Sequence, residues 1–160
     1  MKEILKYSCL IFLYALSHSY LATCFAIDLK IKGYEERYIG LSLSFWGIGV
    51  ILGALLHNLI RKKLNLFSTI LYGSIIQLSF SLIFLIDQNT FLVALMQFVM
   101  GITSAINSLT LESHISSKFK KTSGFYISLF WSSAGLGAIT GSLFIAVSYT
   151  HLTLPTTPYV

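Results

Sequence analysis

Five stretches of about twenty mostly apolar residues, separated by short polar links, leave this chain few ways to fold. They run roughly over Tyr7–Ile27, Tyr38–Ile60, Leu66–Ile86, Phe91–Leu111 and Phe125–Ala146. A helix of ~20 residues is as long as the ~30 Å hydrocarbon core of a bilayer is thick. None of the runs alternates as a strand would, and in lipid only helices and closed barrels satisfy their own backbone. Composition agrees. Apolar residues make up 55% of the 160, and 11 Lys and Arg with 6 Asp and Glu are too few to coat a soluble domain, where about a quarter of residues carry charge. Mean hydropathy is +0.76. The expectation is an all-α, polytopic transmembrane helical bundle, with residues 1–146 holding helices 1–5. An ordinary globular domain, a disordered tail and a fibrous repeat are excluded. The first run is too long for a cleaved signal, too polar in its middle, and has no small-residue cleavage site after it. Cys9 and Cys24 both lie inside it, without metal spacing, and are expected to be small core residues.

Charge sets an expected orientation. With the N-terminus in the cytoplasm, Lys2, Lys6, Arg61, Lys62, Lys63, Lys118, Lys120 and Lys121 face inward, and Lys30, Lys32 and Arg37 face outward. The outward bases are matched by Asp28, Glu35 and Glu36, and Asp87 lies on the same side. An inward excess of bases in short loops is the positive-inside pattern of a plasma membrane protein. The net charge of +5 therefore speaks for a membrane surface, not nucleic acid: bases that bind nucleic acid sit on water-facing surfaces. Lys118, Lys120 and Lys121 are most simply determinants of topology.

Small and polar residues inside the runs mark contacts and candidate sites. Gly49 and Gly53 make one G-x-x-x-G, Gly137 and Gly141 another, with Gly135 nearby. Such spacing lets helix backbones approach where lipid supplies no hydrophobic drive. Ser17-His18-Ser19 falls at the middle of the first run, with Tyr14, His18 and Ala22 on one helical face. A mid-membrane histidine is costly without a use. His18 can bind a solute or carry a coupling proton; equally, it can be a neutral ring bonded to a neighbouring Ser, Tyr or carbonyl. Gln97 and Asn107 lie on the fourth run, ten residues apart and close to three turns. They can bind polar groups of a solute or bridge helices. Glu112, at the end of that run, is placed to pair with Arg61, Lys62 or Lys63 or to stand in water. Gln77 on the third run is expected to be structural.

The text changes after Ala146. Val147-Ser-Tyr-Thr-His-Leu-Thr-Leu-Pro-Thr156 has no helical period, and Pro155 and Pro158 break helices. It resembles a translated transposon-end sequencing adapter over ten residues without a gap. Residues 147–160 are therefore expected to be a non-native or unstructured tail on an N-terminal fragment, and His151 is not counted as a ligand or base.

The link after the second run is similar to a loop of the major facilitator superfamily, whose pattern is roughly G-x-L-x-D-R-x-G-R-K. Gly53, Leu55 and the bases Arg61, Lys62 and Lys63 match in type and order, while His57 or Asn58 stands at the family's Asp. The stretch from Gly33 through Ile39-Gly40-Leu41 to Gly53 looks like the second helix of bacterial members. Leu95-Met-Gln97-Phe-Val-Met-Gly101 resembles a fourth-helix motif with Gln97 in place of Arg. Leu111-Glu112-Ser113-His114 resembles an E-S turn ending that helix, and the glycines Gly135, Gly137 and Gly141 echo the antiporter helix without its Pro. The resemblance covers about Met1–Ala146. It implies twelve helices in two halves with solute bound between them, of which this chain holds five. It further implies a cavity lined by the first and fourth helices, hence by Tyr14, His18, Gln97 and Asn107, and a conformational latch around Gly53, Arg61, Lys62, Lys63 and Glu112.

No nucleophile–base pair, zinc spacing, phosphate loop or dinucleotide fingerprint occurs, so neither an enzyme nor a cofactor is expected. Two functions follow from the residues. One is the N-terminal part of a secondary active transporter moving a small solute by alternating access, completed by a missing C-terminal half. The other is a small complete multi-pass membrane protein that binds a partner.

Overall fold

Every regular element of the computed structural model is helical: α1 (Lys2–Ile31), α2 (Glu36–Lys63), α3 (Leu66–Ile83), α4 (Thr90–Lys118) and α5 (Ser123–Thr153). The structure describes residues 2–83 and 89–153. Asp87 and the end of the third apolar run fall outside them. Four helices, α1, α2, α4 and α5, are long and apolar enough to cross a membrane, and the chain is a multi-pass membrane protein of the all-α class. Five spans were expected. The described part of α3 is shorter, 18 residues or about 27 Å, just under the hydrocarbon thickness.

The helices outrun the apolar stretches because a helix need not stop where lipid stops. It stops where capping chemistry ends it. α1 continues four residues past Ile27 and closes at Gly33, whose φ is 83°. There Gly33 N–H donates to the Lys30 carbonyl at 3.0 Å and Tyr34 N–H to the Leu29 carbonyl at 3.1 Å, the two bonds of a Schellman cap. Asn65 and Asn89 start α3 and α4: their side-chain oxygens accept from Ser68 N–H and Leu92 N–H, each at 2.8 Å. α4 runs through the expected turn at Glu112 and Ser113 to Lys118. α5 likewise passes the expected end at Ala146 and reaches Thr153, two residues before Pro155; residues 154–160 lie outside the described residues. The many serines and threonines are tolerated because their hydroxyls donate back to carbonyls one turn earlier, as Ser42, Ser79, Ser81, Thr103, Ser128 and Thr140 do.

The chain divides into two compact units, Met1–Cys24 with Leu129–Val160, and Phe25–Ser128. In the first, α5 lies against α1 through its glycines. A Cβ on Gly137 would strike the Phe12 carbonyl, and one on Gly141 the Leu16 carbonyl. In the second, a Cβ on Gly49 would strike the Phe98 carbonyl and come within 3.1 Å of Gly101 Cα, while one on Gly53 would lie 2.9 Å from Ala105 Cβ. Gly101 answers from α4, against the Trp46 carbonyl. In both pairs a step forward on one helix is a step forward on the other, so α1 and α5 run parallel, as do α2 and α4. That is the direction each takes when successive helices cross in alternate senses. The link Leu64–Asn65 turns the chain from the end of α2 into α3, which packs on α4 with Gly73 facing Asn107, so α3 is antiparallel to α4. Cys9, expected in the core, is exposed on α1, and Cys24 is half-buried.

Candidate functional site

The polar side chains that matter are held by two helices in two different units. On α1, within the first unit, Tyr14 and His18 are half-buried, with the Tyr14 hydroxyl and His18 Nε2 shielded from solvent. The serines flanking His18 are committed elsewhere. Ser17 donates to the Tyr14 carbonyl at 2.9 Å, and Ser19 shares a 2.6 Å hydrogen bond with Ser142 of α5. Thr23 adds a donation to the Ser19 carbonyl at 2.9 Å. The Ser19–Ser142 bond, beside the Gly141 contact, pins α1 to α5 at the level of His18.

The second group belongs to α4. More than half of its span is buried, 56% against 22% for α2, so its polar side chains are enclosed by protein. Gln97 is 1% exposed, Asn107 7% and Thr110 0%. Among the described residues, Gln97 Oε1, Asn107 Oδ1 and Thr110 Oγ1 have no hydrogen-bond partner. A buried polar atom left so costs ~1–3 kcal/mol, and such groups in native proteins call for a specific use. Asn107 is pressed on α3: a Cβ on Gly73 would meet its Oδ1 at 2.5 Å and its Nδ2 at 2.8 Å. Gln77, four residues further along α3, also has an unpartnered Oε1. Thr103, Asn107 and Thr110 recur at i, i+4 and i+7, one helical face, so this face of α4 carries a polar line. Asn107 belongs to it, while Gln97 lies about 80° further round the helix at 100° per residue. The sequence reading noted Gln97 and Asn107 but missed Thr103 and Thr110, because a threonine in an apolar helix normally hides its hydroxyl on its own backbone. Thr103 does that, toward the Val99 and Met100 carbonyls at 3.1 Å; Thr110 does not.

The five residues of the expected latch are dispersed along two helices. Gly53 is buried against α4, not in a link. Arg61, Lys62 and Lys63 form the last turn of α2, where cations oppose the negative end of the helix dipole, and Arg61 donates to the Leu64 carbonyl at 3.3 Å. Glu112 sits inside α4, six residues before its last residue. At the other end of this unit three bases are each matched: Lys30 with Glu36 at 2.7 Å, Lys32 with Asp28 at 3.1 Å and Arg37 with Glu35 at 2.7 Å. These pairs are exposed and contribute little stability, but they neutralise that end. His57 has a buried Nε2 without a partner among the described residues. It stands one turn beyond Gly53 and one turn before Arg61. No family model, curated protein or solved structure matches the chain.

Proposed function

We propose that this chain is the N-terminal part of a secondary active transporter of the major facilitator type, carrying a small solute across a bacterial inner membrane with its N-terminus in the cytoplasm. The observation that carries this reading is Gln97. Its amide is 1% exposed, lies within a membrane-spanning helix and has an oxygen with no partner among the described residues. Polar groups inside a span mark solute or ion pathways by default, and an uncharged amide suits a polar solute that must bind and then leave. Asn107 and Thr110 on the same helix supply further acceptors, and His18 on α1 supplies the titratable group for proton coupling. In this reading a second half supplies the rest of the solute pathway, as alternating access between repeats requires.

The test is uptake by the full-length protein in proteoliposomes, with Gln97→Leu against wild type. Gln97→Leu is expected to lower transport at least tenfold, the weight of one lost hydrogen bond to a solute, while the helical content by circular dichroism stays the same. Uptake at the wild-type rate by the variant removes Gln97 from the pathway. Absence of uptake of any solute by the full-length wild type removes the transporter reading.

A further inference from the structure

The unused feature is the basic end of the second unit. Because α2 and α4 run parallel, their C-terminal ends lie on the same side. Gly53 is level with Ile102–Ala105, so the last turn of α2 stands level with about residues 111–115 of α4, and Lys118 follows within roughly two turns, ~10 Å. Lys62, Lys63, Lys120 and Lys121 are all exposed there, and none has a carboxylate partner among the described residues. The opposite end of the unit is neutralised pair by pair. The turn carrying Lys120 and Lys121 is built, not loose: Phe119 N–H donates to the Ile115 carbonyl at 2.9 Å, Thr122 N–H to the Phe119 carbonyl at 2.9 Å, and Tyr126 N–H to the Thr122 carbonyl at 3.2 Å. The Phe119 and Tyr126 rings close it with centroids 4.5 Å apart. Beside the bases stand large apolar side chains with nothing over them: Leu59 58% exposed, Phe67 72% and Phe125 69%.

We propose that the end of α2 and the Phe119–Thr122 turn form a docking surface for anionic phospholipid, with Lys62, Lys63, Lys120 and Lys121 on the headgroup phosphate and Leu59, Phe67 and Phe125 along the acyl chains. Charge complementarity selects an anion, because four exposed bases without carboxylate partners among the described residues gather at one end of the unit. The apolar side chains select a lipid over a soluble anion, since they lie at the level where a spanning helix leaves the hydrocarbon. Bases at this depth draw anionic headgroups, each by about fivefold in affinity. The inference rests on the chain spanning a membrane and is independent of whether it transports.

The test uses the full chain in neutral detergent micelles doped with phosphatidylglycerol or phosphatidylcholine, with retained lipid counted by native mass spectrometry. Micelles have no sidedness, so the result does not depend on the proposed orientation. Wild type is expected to retain phosphatidylglycerol over phosphatidylcholine. The combined variant Lys62→Gln/Lys63→Gln/Lys120→Gln/Lys121→Gln is expected to lose at least tenfold of that retention, and Lys30→Gln/Lys32→Gln/Arg37→Gln to keep it. All seven side chains are exposed, and circular dichroism checks the fold; if the fourfold variant misfolds, Lys120→Gln/Lys121→Gln is measured alone, with a loss of at least fivefold expected. Equal retention by the neutralised surface overturns the proposal. So does displacement of the lipid by soluble glycerol phosphate at the same concentration, which assigns the surface to free anions.

Discussion

Asn107 lies over Gly73 with an amide whose oxygen finds no partner among the described residues, and Gln97 is more deeply enclosed still. A buried amide kept only for stability would be bonded across to the neighbouring helix. Replacing an unpartnered one by a similar apolar shape removes a desolvation cost of ~1–3 kcal/mol. Gln97→Leu and Asn107→Leu are therefore expected to hold or raise the melting temperature of the chain in detergent while, on the proposed reading, lowering transport by the full-length protein. A fall of stability of several kcal/mol in either would mean that its amide binds within the fold. At His18 the expectation concerns coupling. On the proposed transport reading, His18→Gln in the full-length protein is expected to abolish uptake driven by a pH gradient and to spare solute exchange, because glutamine keeps a polar side chain there without an ionisable nitrogen. Normal gradient-driven accumulation by His18→Gln makes the residue a packing group. The serines beside it were legible as polar neighbours, but the Ser19–Ser142 bond joins residues 123 positions apart, and no local pattern announces it.

At the scale of elements, glycines of the same helix part company. Gly47 and Gly49 are two residues apart on α2. A Cβ at Gly49 strikes the Phe98 backbone, whereas nothing lies within 4 Å of one at Gly47. On α5 the same contrast separates Gly137 from Gly135. Gly49→Ala and Gly137→Ala are expected to push their helices off a partner and cost ~1–3 kcal/mol. Gly47→Ala and Gly135→Ala are expected to be neutral or to stabilise by up to ~1 kcal/mol through helix propensity. Thermal melts of the four variants in one detergent check this, and equal effects within a pair would refute the helix contacts. The G-x-x-x-G spacing picked out Gly49, Gly53, Gly137 and Gly141 correctly as contact positions. It did not name their partners: Gly101 of α4, which answers Gly49, has no second glycine four residues away. Helix ends were less legible than helix middles. An apolar run marks where lipid is, while α1 and α4 continue through polar residues until Gly33 and Phe119 end them.

For the whole molecule the testable quantity is sidedness. With single cysteines introduced into a Cys9→Ser/Cys24→Ser background, Lys63→Cys and Lys121→Cys are expected to react with impermeant maleimide only from the cytoplasm, and Lys32→Cys only from outside; labelling of Lys32→Cys from within overturns the orientation. The parallel courses of α2 and α4 and of α1 and α5 accord with alternate crossings and with bases gathered at one end of the second unit. The amino-acid sequence alone determined that the chain is helical, where its apolar spans lie and which of its ends are basic, because hydrophobic length and charge act residue by residue against the bilayer. It could not determine which face of each helix meets another. In water a helix declares its buried face by making the other polar; in lipid both faces are apolar, and association depends on close backbone fit and a few polar bonds. Only the tertiary structure therefore decided that Gly49 and not Gly47 touches α4, that Asn107 turns to α3, and that Cys9 lies outside, since those choices rest on the shape of a neighbouring helix that no local stretch encodes.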